Sequence, residues 1–334
     1  MIRYLLRRLA LLPLTLLVLS LATFVLLRLI PGDPAQVMLG EHATAAQVAQ
    51  FRASHGLDAP LPIQYVRYLA DLARGDWGRA IVTDRPVLAE IGQRLPATVE
   101  LAAAAMLIAC ALGIPAGVLA ARRRHSGADR LASAVSLVGV AVPLFWIGLL
   151  LSYLFGYALG WLPPSGRLAV GSDLGRITGL HLADAILIGN SAAFADALRH
   201  LALPAFVLST APLAVITRMT RATLLEMLAQ DHVRTARAKG LPERVVLLGH
   251  GLRNAAPAVA TAIGLQWGGL LSGAILVETI FAWPGMGQLV AERVLGRDYP
   301  AVQGIVLVTA GMIMAVNLVT DLICATLDPR IRYA

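Results

Sequence analysis

The side chains best suited to chemistry in this sequence are seven histidines, two cysteines and a single lysine. Their spacing excludes most of what they could do. His42, His55, His125, His181, His200, His232 and His250 are scattered, and none has another at i+3 or i+4. No helical metal pair can form, and no metal ion or other cofactor is expected. Cys110 and Cys324 both lie in apolar runs and read as small hydrophobes, not as a zinc or disulfide pair. Lys239 stands between Ala238 and Gly240. A phosphate-binding loop needs Gly-x-x-x-x-Gly-Lys-Ser/Thr, which cannot be built around it. Serines occur in the apolar runs, but no histidine lies in their cores to act as a general base. No catalytic residue is expected, and an ATP-driven step would have to draw its energy from another polypeptide.

The elements that carry these residues are dictated by composition. Of 334 residues, 57% are hydrophobic and 14% charged, where a soluble domain has about 25% charged residues. Six runs are long and apolar enough to cross about 30 Å of hydrocarbon as helices. They are Leu9–Ile30, Thr98–Ala121, Leu131–Leu159, Leu201–Thr217, Ala255–Ile280 and Ala301–Ile323. The third is long enough to bend at Pro143, and the fourth is the shortest because Pro204 and Pro212 interrupt it. The first follows Arg3, Arg7 and Arg8 but is too long for a signal peptide and lacks a cleavage site, so it reads as an uncleaved span. An all-α polytopic membrane protein with both termini inside is expected. The inner segments then carry 16 basic and five acidic residues, the outer ones 12 and 14. The net charge of +8 follows from this topology, and no nucleic-acid partner is expected. The outer loop 31–97 holds two short amphipathic helices, Ala45–Ser54 and Pro62–Arg74, and the patch Leu182–Ile188 is too short to span.

Inside the spans, ionisable groups are nearly absent. Arg28, Glu100, Glu278 and Asp321 sit near span ends, where they are expected to reach water. A proton- or sodium-coupled carrier usually needs an intramembrane carboxylate or a broken-helix ion site. Gln266 and Asn317 are the notable interior polar residues; interhelical hydrogen bonding is their first reading. With Gly269 they are also candidates for lining a translocation path. Gly113…Gly117, Gly156…Gly160, Gly264…Gly268 and Gly269…Gly273 have the spacing of closely packed helix faces.

The inner loop 218–254 contains two candidate helices, Ala222–Ala229 and His232–Lys239. Asp231 is placed as N-cap of the second, Gly240 just past its end and Pro242 beyond. Arg234-Thr-Ala-Arg-Ala-Lys-Gly240, continuing to His250-Gly-Leu-Arg-Asn254, resembles the Glu-Ala-Ala-x-x-x-Gly loop of ABC importer permeases. Ala236 and Gly240 match the pattern's last Ala and its Gly. Arg234 and Thr235 replace the Glu and first Ala, as in the dipeptide, oligopeptide and nickel branch, and the later proline is displaced to Pro257. Pro31-Gly-Asp-Pro34, Leu57-Asp58, Leu95-Pro-Ala-Thr-Val-Glu100, Phe281-Ala-Trp-Pro-Gly-Met-Gly287, Arg297-Asp-Tyr-Pro300 and Leu327-Asp-Pro-Arg-Ile-Arg-Tyr333 are similar to that branch in the same order.

The resemblance implies a type I importer transmembrane domain in the bacterial inner membrane, of the B-type with the longer outer loop. It implies a scaffold helix 1–30, an outer subdomain 31–97, a five-helix core 98–325 and an inner tail 326–334. The implied partners are a second homologous permease, two cytoplasmic ABC ATPases, a periplasmic solute-binding protein and membrane lipid. Arg234, Thr235, Ala236, Arg237, Ala238, Lys239, Gly240 and Leu241 would couple the chain to the ATPases. Di- or oligopeptides are the expected substrate, with nickel chelate or glutathione as alternatives. A stand-alone channel or carrier is the reading from a different class.

Overall fold

The computed structural model describes residues 2–30, 34–40, 43–54, 56–171 and 174–327. Residues 31–33 of the first motif, 328–333 of the last and most of the inner tail lie outside the described residues. Apart from one isolated bridge between Arg79 and Pro86, regular structure among the described residues is helical. The helices are α1 (Ile2–Leu29), α2 (Pro34–Leu39), α3 (Ala45–Ser54), α4 (Leu61–Ala73), α5 (Val87–Arg122), α6 (Gly127–Ala141) and α7 (Leu144–Leu151). There follow α8 (His181–Ile188), α9 (Ser191–Leu228), α10 (Asp231–Ala238), α11 (Glu243–Val245), α12 (Arg253–Ile280), α13 (Met286–Leu295) and α14 (Tyr299–Leu327). π-helical segments Ser152–Ala158 and Val246–Leu252 extend α7 and join α11 to α12.

Among the described residues, four helices are long and apolar enough to cross a membrane: α1 over Ala10–Leu29, α5, α9 and α14. Two bent pairs, Gly127–Gly139 with Leu144–Ala158 and Glu243–Leu271 with Ala274–Ile280, bring the number to six if each is one span. The break in the third span falls at Pro143, as expected, because proline disfavours helical geometry in the residue before it and Val142 turns extended at ψ 130°. The fourth span differs from its sequence reading. It is not the shortest: α9 runs unbroken for 38 residues through Pro204 and Pro212. Both prolines are buried among neighbouring helices, where packing and local side chains compensate for a lost backbone bond. Ser209 Oγ and Thr210 Oγ1 donate to the carbonyls of Phe206 and Val207 at 2.7 and 2.8 Å, beside Pro212.

The chain divides into two compact units, Met1–Leu95 with Gly285–Met314, and Pro96–Pro284 with Ala315–Ala334. In the first, α4 is fastened to the outer end of α1. Tyr65 Oη and Ser20 Oγ are 2.9 Å apart, and Phe24 meets the Tyr65 ring edge-on at 5.1 Å. A second core gathers Ala80, Val87, Ile91, Met286, Leu289, Ala301 and Ile305. Buried beside it, Arg293 donates to both oxygens of Glu90 at 3.2 and 3.0 Å, and Thr83 bonds the same carboxylate. Asp298 is fully buried and accepts from the N–H groups of Val82 and Ala301. The Arg297-Asp-Tyr-Pro300 motif is therefore a structural anchor.

The second unit is a tight bundle of helices. Cβ atoms added at Gly113 and Gly117 would stand 3.1 and 2.7 Å from the carbonyls of Leu213 and Thr217 on α9. Gly264 lies against Thr320 of α14, whose Cβ would be 2.7 Å away. These glycines let backbones approach, as their spacing suggested. Glu100 and Glu278, expected to reach water, are instead 8% and 0% exposed. Glu100 is paired with Arg167 and accepts from the Leu182 N–H, which offsets its burial, and Glu278 accepts from Thr98 Oγ1 at 2.6 Å.

Candidate functional site

The inner end of the bundle holds the residues singled out for coupling. The helix expected over Ala222–Ala229 is the last part of α9, which extends to Leu228. After Gln230 the chain enters α10. Gln230, not Asp231, occupies the N-cap, and it makes no side-chain cap bond. Asp231 falls in the first turn and pairs with Arg234 at 3.3 Å. Its charge there still suits the positive end of the helix.

α10 has two faces. Val233 and Ala236 are buried with Val246 and Leu228. Arg234, Thr235, Arg237, Ala238 and Lys239 are exposed, as is Leu241 after the turn. Ala236 thus seats the helix on its own chain, and Ala238 is the small residue presented outward. Arg237 Nη2 donates to Glu243 at 2.8 Å across the turn, a contact that pushes the guanidinium pKa further up. Gly240 has φ +77°, its N–H reaches the Arg237 carbonyl at 2.9 Å, and no atom lies within 4 Å of where a Cβ would stand. The constraint at Gly240 is therefore the left-handed backbone itself, not space.

Two contacts tie this end to the spans. A Cβ at Gly251 would stand 2.8 Å from Leu224 and 3.2 Å from Leu228, so the π-helical segment before α12 packs flush on α9. Arg221 of α9 donates to both oxygens of Asp129 at 2.6 and 3.0 Å, and Asp129 also accepts from the His125 N–H at 2.9 Å. The first inner turn is fixed to α9 in this way.

Gln266 and Asn317 are half-buried, and neither makes a side-chain hydrogen bond among the described residues. The interhelical bonds first read for them are not made. Gly269 is exposed with nothing within 4 Å of its Cβ position, and Leu265 and Leu276 are exposed on the same helix. α12 therefore carries both a packed glycine, Gly264, and an open one, Gly269.

A buried polar cluster at the outer end was not foreseen. Arg167 bonds Glu100 and the Gly179 carbonyl and lies 5.2 Å from the Trp283 ring. Trp283 Nε1 donates to the Ala97 carbonyl at 2.8 Å, and Gly166 N–H to the Phe281 carbonyl at 2.8 Å. Asp184 accepts from the N–H groups of Ile177, Thr178 and Gly179 and from Thr178 Oγ1. Burial pushes the Asp184 pKa up, but these hydrogen bonds outweigh it and hold the carboxyl below its usual range. Burial, with Arg167 nearby, pushes the His181 pKa down. The available sequence signal was Glu100 itself, a carboxylate just inside an apolar run that needs a cationic partner.

Residues 113–333 match the family model described as binding-protein-dependent transport system inner membrane component, and residues 1–102 match the model of its N-terminal part. The chain is 48% identical over its whole length to the di/tripeptide transport system permease protein DppB of Pseudomonas aeruginosa, covering 99% of that protein. It is 45% identical to the dipeptide transport system permease protein DppB of Escherichia coli, at 100% and 99% coverage. It is 38% identical to the glutathione transport system permease protein GsiC of Salmonella paratyphi A, at full coverage of both. A helical, multi-pass chain that matches these models from end to end belongs to the binding-protein-dependent transport system inner membrane components, as an ABC importer permease of the dipeptide branch.

Proposed function

We propose that this chain is one of two permease subunits that together enclose a path for di- and tripeptides. The reading rests chiefly on α10: a short helix with an exposed basic face, seated by Val233 and Ala236 on the inner end of the bundle. The high identity to permeases named for di- and tripeptides supports the substrate class. In this reading residues 1–30 form a scaffold helix and residues 98–325 the core. A cytoplasmic ATPase receives α10 in a groove, with Arg234, Arg237 and Lys239 meeting acidic residues. ATP hydrolysis belongs to the ATPase pair, and this chain contributes no catalytic group.

Transmission follows from the packing. ATP-driven approach of the two ATPases moves α10 of each permease toward the other. Val246 and Gly251 pass that displacement to α9 and α12, because close-packed side chains transmit strain and do not absorb it. The face of α12 bearing Gln266 and Gly269, with Asn317 of α14, would line the path. Such a path offers hydrogen bonds to peptide groups without a charged trap, and selection would rest on a periplasmic binding protein.

The test is uptake of labelled Ala-Ala in a host lacking its own peptide importers, with the whole operon expressed and competitors added. Peptide uptake that needs ATP and this chain supports the reading. Competition by glutathione alone, or by nickel alone, would move the substrate assignment. Solute exchange by the purified chain in vesicles without any ATPase would replace the importer with an autonomous carrier.

A further inference from the structure

At the outer end of α1 the fastening of α4 leaves an open apolar slot of about 390 Å³, lined by Leu21, Val25, Leu29, Leu61, Tyr65 and Val66, with Phe24 and Arg28 also on its wall. The volume lies within the range of small-molecule sites. Leu29, Leu61 and Val66 are each more than half exposed. The slot is continuous with the exposed leucines and valines of α1 nearer the inner side, among them Leu14, Leu17 and Val18. In a spanning helix those side chains face hydrocarbon, so the slot opens to acyl chains of the outer leaflet.

Among the described residues one charged group lines it. Arg28 Nε and Nη2 donate to Gln64 Oε1 at 3.1 and 2.8 Å, and Nη1 donates to the Phe24 carbonyl at 3.2 Å. The guanidinium stacks 3.4 Å from the centroid of the Phe24 ring. A guanidinium has five N–H donors. Three are used here, which leaves one on each terminal nitrogen, and among the described residues no acidic side chain lines the slot to take them. Two N–H groups of a rigidly held arginine suit a phosphate oxygen pair.

We propose that this slot is a binding site for one anionic phospholipid of the outer leaflet, its acyl chain along Leu21, Val25 and Val66 and its phosphodiester on Arg28. The amphiphile matches the site at both ends: an apolar channel open to the membrane, and a cation with unused donors at the water-facing end. Lipid in the slot would stiffen the joint between α1 and α4.

The experiment uses the full-length chain in nanodiscs of equal phosphatidylglycerol and phosphatidylethanolamine, with lipid retention counted by native mass spectrometry after extraction into detergent. Three forms are compared: wild type, Arg28→Gln and Val66→Trp, which fills the slot and leaves Arg28 in place. The wild type is expected to hold one more phosphatidylglycerol than either variant. The preference for phosphatidylglycerol over phosphatidylethanolamine should fall at least fivefold in Arg28→Gln. Val66→Trp should lose the tightly held lipid whatever its head group, and if Arg28→Gln does not fold, a wild type that retains phosphatidylethanolamine as well as phosphatidylglycerol overturns the anionic assignment. Equal retention in wild type and Val66→Trp overturns the site. Loss in Val66→Trp with an unchanged head-group preference in Arg28→Gln overturns the anionic assignment. A photo-crosslinker at Val25 that captures a second copy of this chain, with no lipid retained, makes the slot a subunit contact and also overturns it.

Discussion

Replacing Arg167 by methionine tests the outer polar cluster quantitatively. Arg167 and Glu100 side chains are 8% and 7% exposed, and the pair is joined directly. After Arg167→Met, Glu100 keeps only the Leu182 N–H at 2.8 Å as a partner among the described residues. Removing one member of a buried pair costs about 3–5 kcal/mol, because the remaining charge stays desolvated. For a unit of roughly this size, 1 kcal/mol corresponds to about 2–4 °C in Tm. The single variant should therefore melt on the order of 10 °C lower. The double variant Arg167→Met/Glu100→Gln removes both charges and should recover most of that loss, since an apolar or neutral replacement of a whole pair is often nearly neutral. The assay is thermal unfolding of purified protein in one detergent, followed by size-exclusion fluorescence, with both single variants and the double. A drop of less than about 3 °C in Arg167→Met would refute the reasoning. So would a double variant no more stable than the worse single one, because the cost would then not come from an uncompensated charge.

Gly240→Val places a β-branched residue at φ +77°, which costs about 1–2 kcal/mol and displaces the turn after α10. Membrane insertion should be intact and peptide uptake lost; normal uptake would show that the turn does not matter to coupling. Thermal stability of the outer region should decline as pH falls below about 6.5, the ordinary histidine value, because His181 is held neutral in the fold and protonates more readily when unfolded. A second decline should begin below about pH 4, as Asp184, held ionised in the fold, takes up a proton more readily once unfolded. His181→Gln should flatten the first decline and leave the second, as read from Tm against pH. Gly264→Ala puts a methyl 2.7 Å from Thr320 Cβ and should destabilise by about 1–3 kcal/mol. Gly269→Ala meets nothing within 4 Å and should not lower Tm, since alanine favours a helix over glycine by about 1 kcal/mol. A change in uptake kinetics for Gly269→Ala alone would support its place on the path.

Class and topology were legible in the sequence because the membrane fixes them one segment at a time. An apolar run of some 20 residues must be a helix wherever it packs, since its backbone has no other partner in hydrocarbon. The arginines between runs set the orientation by the same local logic. Gly113 and Gly117 could be read as packing residues from spacing alone, and Gly240 as the stop of α10 from its place before Pro242. What the sequence could not decide depends on which side chains meet. Pro204 and Pro212 looked like interruptions; their burial among other helices accounts for the continuation of α9 through them. Glu100 and Glu278 looked like residues at a water boundary. They are buried because Arg167, some 67 residues along the chain, and Thr98, 180 residues away, are brought to them by the fold. Ala236 and Ala238 are alike in sequence, and only the packing of Val246 and Leu228 turns one inward and leaves the other exposed. Local physics determined that this chain crosses the membrane and where it turns. Long-range packing decided which of its few polar groups became buried anchors and which stayed exposed.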